Sequence, residues 1–244
     1  MTTLRQSWLW VGIVIVHGGL ILACNTNVPQ QQSVPQENQL SVETTKIVES
    51  VKTFAEDQGP QGQEALRNLE GYPKPELLGA LRNLDRSLPA TDKLRPQIAF
   101  LFCWMNQDYE INVRTIEAAL SKSSPYQGFY ADDAETLLSR LIQHGKKDLL
   151  KPLFQSASWA DGALSEGLSI TFSRELKDDP EQFLNQLSPS PANIRENVYA
   201  LIKSSASLSE ADLKKLRASL SLMRTTSPAH QLARELLEHL EKSL

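Results

Sequence analysis

The chain has 244 residues, 25 of them Lys or Arg and 29 Asp or Glu, for a formal net charge of −4. That balance argues against nucleic-acid binding, which rests on clustered Lys and Arg neutralising phosphates; no basic run is longer than Lys146-Lys147 or Lys214-Lys215. With two cysteines, Cys24 and Cys103, there is no CxxC metal site either.

Arg5 is the sole charge before residue 24, and the run from Trp8 to Ala23 behind it is apolar but for Gly12, His17, Gly18 and Gly19. A positive start, a short apolar stretch and a small residue before the cut are the layout of a secretory signal. A membrane-spanning helix needs about 20 apolar residues. This run is shorter and carries a glycine pair, so a cleaved signal is expected over an uncleaved anchor.

The segment Leu20-Ile21-Leu22-Ala23-Cys24-Asn25 resembles the lipobox of bacterial prolipoproteins. Ile21 takes the aliphatic position, Ala23 the small one and Cys24 that of the obligatory cysteine, while Leu22 stands where the family usually has a small residue. The resemblance implies removal of residues 1–23, a diacylglyceryl thioether on Cys24 and attachment to the lipid bilayer on the non-cytoplasmic side of the cell envelope. Thiolate nucleophilicity explains why the anchor is a cysteine, and two acyl chains hold where one is marginal. Lipoproteins kept at an inner membrane usually carry Asp after the cysteine; Asn25 here favours the outer membrane of a two-membrane envelope. Lipidation of Cys24 also leaves Cys103 without a disulfide partner.

Residues 25–41 contain two prolines, five glutamines and three aliphatic side chains. Such a composition buries too little apolar surface to offset chain entropy. Residues 24–41 are therefore expected to be the lipidated cysteine and a disordered tether, with an end-to-end distance on the order of 20 to 25 Å.

From residue 42 to 244 a single all-α domain is expected. Ile47, Val48, Val51 and Phe54 repeat at helical spacing. So do Leu137, Leu138, Leu141 and Ile142, and after them Leu149, Leu150, Leu153 and Phe154. The pattern continues through Leu164, Leu168, Phe172 and Leu176, then Ile194, Val198, Leu201 and Ile202, then Leu213, Leu216 and Leu220, to Leu232, Leu236, Leu237 and Leu240. Asp179-Pro180, Ser190-Pro191 and Ser227-Pro228 place a capping residue before proline at the first helical position. Lys74-Pro75-Glu76 is a weaker version, and capping boxes are expected at Asp132–Glu135 and Ser207–Glu210. Ile98 to Met105, the most apolar run here and the strongest strand candidate, is assigned to a helix because Pro96 precedes it and Thr91-Asp92 supplies a start. Cys103, inside that run, is expected to be buried and inert.

These marks give about ten short helices whose short links make neighbours antiparallel, in an irregular bundle or a stacked array. The succession is similar to HEAT-type α-solenoids, although no repeat signature is present. The echo of Ala65–Glu70 in Ala80–Asp85 has an offset of fifteen, far below the roughly 30 to 47 residues of helical repeats.

Catalytic spacings are missing: His144, His230 and His239 belong to no HExxH or triad pattern, and there is no phosphate loop or calcium loop. His144-Gly145 reads as a helix end, and Gly59 and Gly62 as a turn-rich link. Asp132-Asp133, Asp178-Asp179 and Asp161 with Glu166 are explained by helix starts. No catalytic residue, cofactor or metal ligand is assigned. The most distinctive interior feature is the link Ser123–Asp133, whose Tyr126, Phe129 and Tyr130 are expected to fold back between helices or, as the alternative, to form with Trp159 a candidate interaction surface. The expectation is a membrane-tethered envelope lipoprotein whose helical domain is a protein- or ligand-binding module. The alternatives are an envelope hydrolase with converging acidic side chains, and a carrier of a lipophilic ligand with a dry cavity near Phe100, Phe102 and Trp104.

Overall fold

A computed structural model describes residues 42–57, 59–205, 209–221 and 227–241. The chain divides into Met1–Gln39 and Leu40–Leu244, and all the described residues belong to the second unit. Cys24, the expected signal and the expected tether lie outside them.

The described residues form twelve α-helices and one 3-10 turn, without strands. In chain order these are α1 (Val42–Glu56), α2 (Pro60–Glu70), α3 (Lys74–Ser87), α4 (Leu94–Trp104), α5 (Tyr109–Ala119) and α6 (Ala131–Gln143). After the 3-10 turn Lys147–Leu149 come α7 (Leu150–Ser156), α8 (Gly162–Asp178), α9 (Pro180–Leu187), α10 (Ala192–Ser204), α11 (Glu210–Ser221) and α12 (Pro228–Glu241). The continuous apolar run is helical, forming most of α4, where Ile98, Phe100 and Cys103 are all buried.

A spine of packed helices, α1 to α4 to α6 to α8 to α10 to α12, runs through the domain, and the remaining helices flank it. Two aromatic centres fill its interior. Phe54 of α1 stacks on Phe100 of α4 at 5.3 Å, and Phe100 meets Trp104 at 5.5 Å. Phe154, Phe172 and Phe183, from α7, α8 and α9, touch one another at 5.3 to 6.1 Å. Each buried phenylalanine contributes roughly 1.5 to 3 kcal/mol by leaving water.

The helix starts follow the expected chemistry with shifted registers. Asp179 accepts the Gln182 N–H at 2.9 Å and Ser227 Oγ the His230 N–H at 3.2 Å. Ser190 sits one residue too early: Pro191 occupies the cap position of α10, and the Ser190 carbonyl accepts from Arg195 instead. Both expected boxes also move. Asp133 reaches back to the Tyr130 N–H at 2.9 Å, two residues before the predicted box, while Ser209 and Asp212 bond reciprocally, two residues after it. Gly62 is not in a link but inside α2, where a Cβ would stand 1.6 Å from the Asp57 carbonyl oxygen. Only a residue without a side chain permits that approach of α2 to the end of α1.

The echoed segments lie on α2 and α3, but each turns a different leucine inward. Leu69 is buried on α2, whereas on α3 it is Leu81, the counterpart of half-buried Leu66. Arg95 of α4 fastens the α3 end, donating to the Asp85 carboxylate and to the carbonyls of Asp85, Leu88 and Pro89 at 2.7 to 3.0 Å.

Candidate functional site

Helices α6 and α8 determine where the expected interaction residues go. Glu135 of α6 faces Gly167 and Thr171 of α8, and Ser139, one turn on, faces Thr171 and Arg174. Rising numbers meet rising numbers, so the two helices run parallel with α7 between them in sequence. Their N-termini consequently sit side by side.

At that end lies a groove of about 570 Å³, lined among others by Ser121, Lys122, Tyr130, Asp132, Trp159 and Asp161. The backbone explains which aromatics reach it. Tyr130, at the cap of α6, is extended (φ −105°, ψ 172°), and extended backbone sends consecutive side chains to opposite sides. Phe129 thus turns into the core at 2% exposure, while Tyr130 turns out at 68%. The link before them is pinned by the Gln127 N–H donating to the Thr91 carbonyl at 2.9 Å and by Gly128 at φ +69°. Tyr126 packs half-buried against the core, and burial raises its phenol pKa.

Trp159 follows α7 in a turn closed by its own N–H donating to the Ser156 carbonyl at 3.1 Å. Half-buried, it lines the groove from the α8 side. Asp161 then caps α8 in position but makes no side-chain hydrogen bond to the first turn, and Gly162 adopts φ +45°. Of the four expected surface residues, the structure brings Tyr130 and Trp159 together. Tyr126 and Phe129 are the anchors that hold Tyr130 out.

Behind the groove, between α6 and α8, is a buried polar chain that takes in Glu135, the residue expected to close the α6 capping box. Thr171 donates to Glu135 Oε1 at 2.8 Å, which leaves the Ser139 hydroxyl to donate to Thr171 at 2.8 Å while Arg174 donates to Ser139 at 3.1 Å. Glu135 is 4% exposed, and burial raises its pKa against the opposing effects of the Thr171 bond and the Arg174 charge. Glu175, equally buried, pairs with Lys147 and Arg174. Apart from the adjacent Arg174 and Glu175, no sequence signal marked these contacts, because they join residues 28 to 36 positions apart.

The other expectations also have places. Cys103 is buried with its Sγ 3.8 Å from the Tyr109 carbonyl, and burial pushes its thiol up to about 12. His144 ends α6 before left-handed Gly145 (φ +93°) and also stacks on Trp104 at 4.1 Å. Phe100 and Phe102 are buried in packing; the adjoining apolar cavity, lined by Leu66, Leu69, Tyr72, Leu77 and Trp104, holds about 210 Å³. That is below the roughly 300 to 1,000 Å³ of small-molecule sites. A larger cleft of about 620 Å³ between α1 and α2 is lined by the polar flanks Lys46, Glu49, Thr53, Glu64 and Asn68, with Tyr72. Two aromatic side chains, Tyr130 and Trp159, distinguish the α6–α8 groove from it. Among the described residues no group of three or more His, Cys, Asp or Glu is placed to hold a metal ion, and no helix is long and apolar enough to cross a membrane.

Comparison with family models, curated proteins and solved structures found no match to this chain.

Proposed function

We propose that this chain is a lipid-anchored binding module of the bacterial cell envelope, moored through acylated Cys24 and presenting the Tyr130–Trp159 groove to an envelope protein or ligand. The single observation that carries the binding half is the groove itself, where a tyrosine exposed by its own cap geometry and a tryptophan from a separate turn line one concavity. Aromatic side chains supply large contact area at small entropic cost and dominate interface energetics. The mooring half is supported by the lipobox resemblance around Cys24 and by the tether composition of residues 25–41.

Oxidative footprinting of Tyr130 and Trp159 tests the reading whatever the ligand is. Both side chains are expected to be protected in intact envelopes and modified in the purified protein. Equal modification in the two states would contradict an occupied groove. Cell fractionation of Cys24→Ala tests the mooring: the variant is expected to leave the membrane fraction.

A further inference from the structure

Resting on that reading of the groove, we propose that its ligand is a neutral oligosaccharide of β-linked pyranose units. The lining combines two kinds of group that such a sugar uses together. Tyr130 and Trp159 line it with aromatic rings, and the faces of a β-linked pyranose are rows of axial C–H bonds that lie against an aromatic ring. Around the rings stand acceptors and donors for the equatorial hydroxyls.

Asp161 is exposed and its carboxylate is not spent on capping α8. Asp132 lines the same groove from the first turn of α6. A carboxylate accepts from two neighbouring hydroxyls at once, a bidentate pattern that a vicinal diol supplies. Ser124 Oγ already accepts the Tyr126 N–H at 3.2 Å, which leaves its own proton to donate into the groove it lines. Lys122 adds a further donor.

Charge selects a neutral occupant. Two carboxylates, Asp132 and Asp161, face one ammonium, Lys122, and the two parallel helix N-termini add roughly half a positive charge each. With Asp133 of the same first turn offset by Lys93, the sum is close to zero. A cationic peptide gains little there, and an anion meets two carboxylates. A polyol uses the same carboxylates as hydrogen-bond acceptors and needs no counter-charge. The volume of about 570 Å³ lies in the range of sites that enclose small ligands.

The test is calorimetric titration of the full-length chain in detergent micelles with chitotetraose, and in parallel with tetralysine. Chitotetraose is expected to bind, and Trp159→Ala and Tyr130→Ala are each expected to weaken it at least about tenfold. Tyr130→Phe, which keeps the ring, is expected to stay within about threefold of the parent, and Asp161→Asn to weaken binding while circular dichroism shows an unchanged fold. Should Trp159→Ala unfold, Tyr130→Ala and Tyr130→Phe still decide the matter. Chitotetraose binding that Tyr130→Ala and Trp159→Ala leave unchanged would overturn the site. Tetralysine binding lost in those variants, with no sugar bound, would overturn the ligand class and leave the groove reading standing. Binding of neither would sink the sugar proposal, and footprinting would then decide the groove by itself.

Discussion

Gly167 and Gly79 both sit inside helices, and replacing each by alanine is expected to change stability in opposite directions. Alanine in a helix interior is about 0.8 to 1.0 kcal/mol more favourable than glycine. At Gly79, on α3, an added Cβ meets nothing within 4 Å, so that gain appears whole. At Gly167 the Cβ would stand 2.6 Å from Glu135 Oε2 and 3.1 Å from its Cδ. An exposed glutamate would swing aside, but Glu135 is enclosed and held through its other oxygen by Thr171 at 2.8 Å. Moving it breaks a hydrogen bond to a charged group, which costs about 1.5 to 3 kcal/mol. The larger effect wins, leaving Gly167→Ala destabilised by about 0.5 to 2 kcal/mol. Urea denaturation followed by helical circular dichroism measures both. Adding Glu135→Ala should restore the benefit of alanine at 167, with a coupling of about 2 kcal/mol in the double-mutant cycle. If Gly167→Ala proves as stabilising as Gly79→Ala, the Glu135 carboxylate is not held as described and the α6–α8 polar chain is not a fixed element.

Further outcomes follow from single contacts. Arg95→Lys loses the planar fork that reaches Asp85, Leu88 and Pro89, and a loss of about 1 to 3 kcal/mol in urea unfolding is expected. The Glu135 carboxyl is raised in the fold by burial, so its contribution is fully present below the unfolded pKa and is lost as pH rises through the higher folded one. Glu135→Gln, which does not titrate, should therefore gain stability relative to the parent between acid and neutral pH, and a pH series of melting temperatures checks the sign. Cys103, buried and pushed up to about 12, should resist iodoacetamide at pH 8 in the native chain and react once urea unfolds it.

Most of the helical core was legible because a helix buries one face and repeats its apolar residues every three or four positions. Leu137, Leu138, Leu141 and Ile142 are each essentially fully buried, as their spacing required. Cap registers were less legible. An acidic residue three places after a polar one fits several frames, and the contest at α6 was settled by α8: with Thr171 available, Glu135 serves the interior and Asp133 serves the cap. Gly62 misled for a similar reason, since its role is set by the Asp57 carbonyl just past the end of α1.

The candidate surface was legible in composition and not in geometry. Four aromatics were visible, but which pair lines one groove depends on the extended backbone at Tyr130 and on the parallel course of α6 and α8. Phe129 differs from Tyr130 by one residue and by the side of the chain it occupies. That alternation follows from backbone dihedrals that the sequence of a link does not display.

Mooring through Cys24, on which the proposed envelope role depends, is probed without intermediaries by the intact mass of the protein extracted from membranes. Loss of residues 1–23 and a diacylglyceryl adduct on a polypeptide that begins at Cys24 are expected. A mass that retains residues 1–23, or a cleaved chain with an unmodified Cys24, would contradict the mooring.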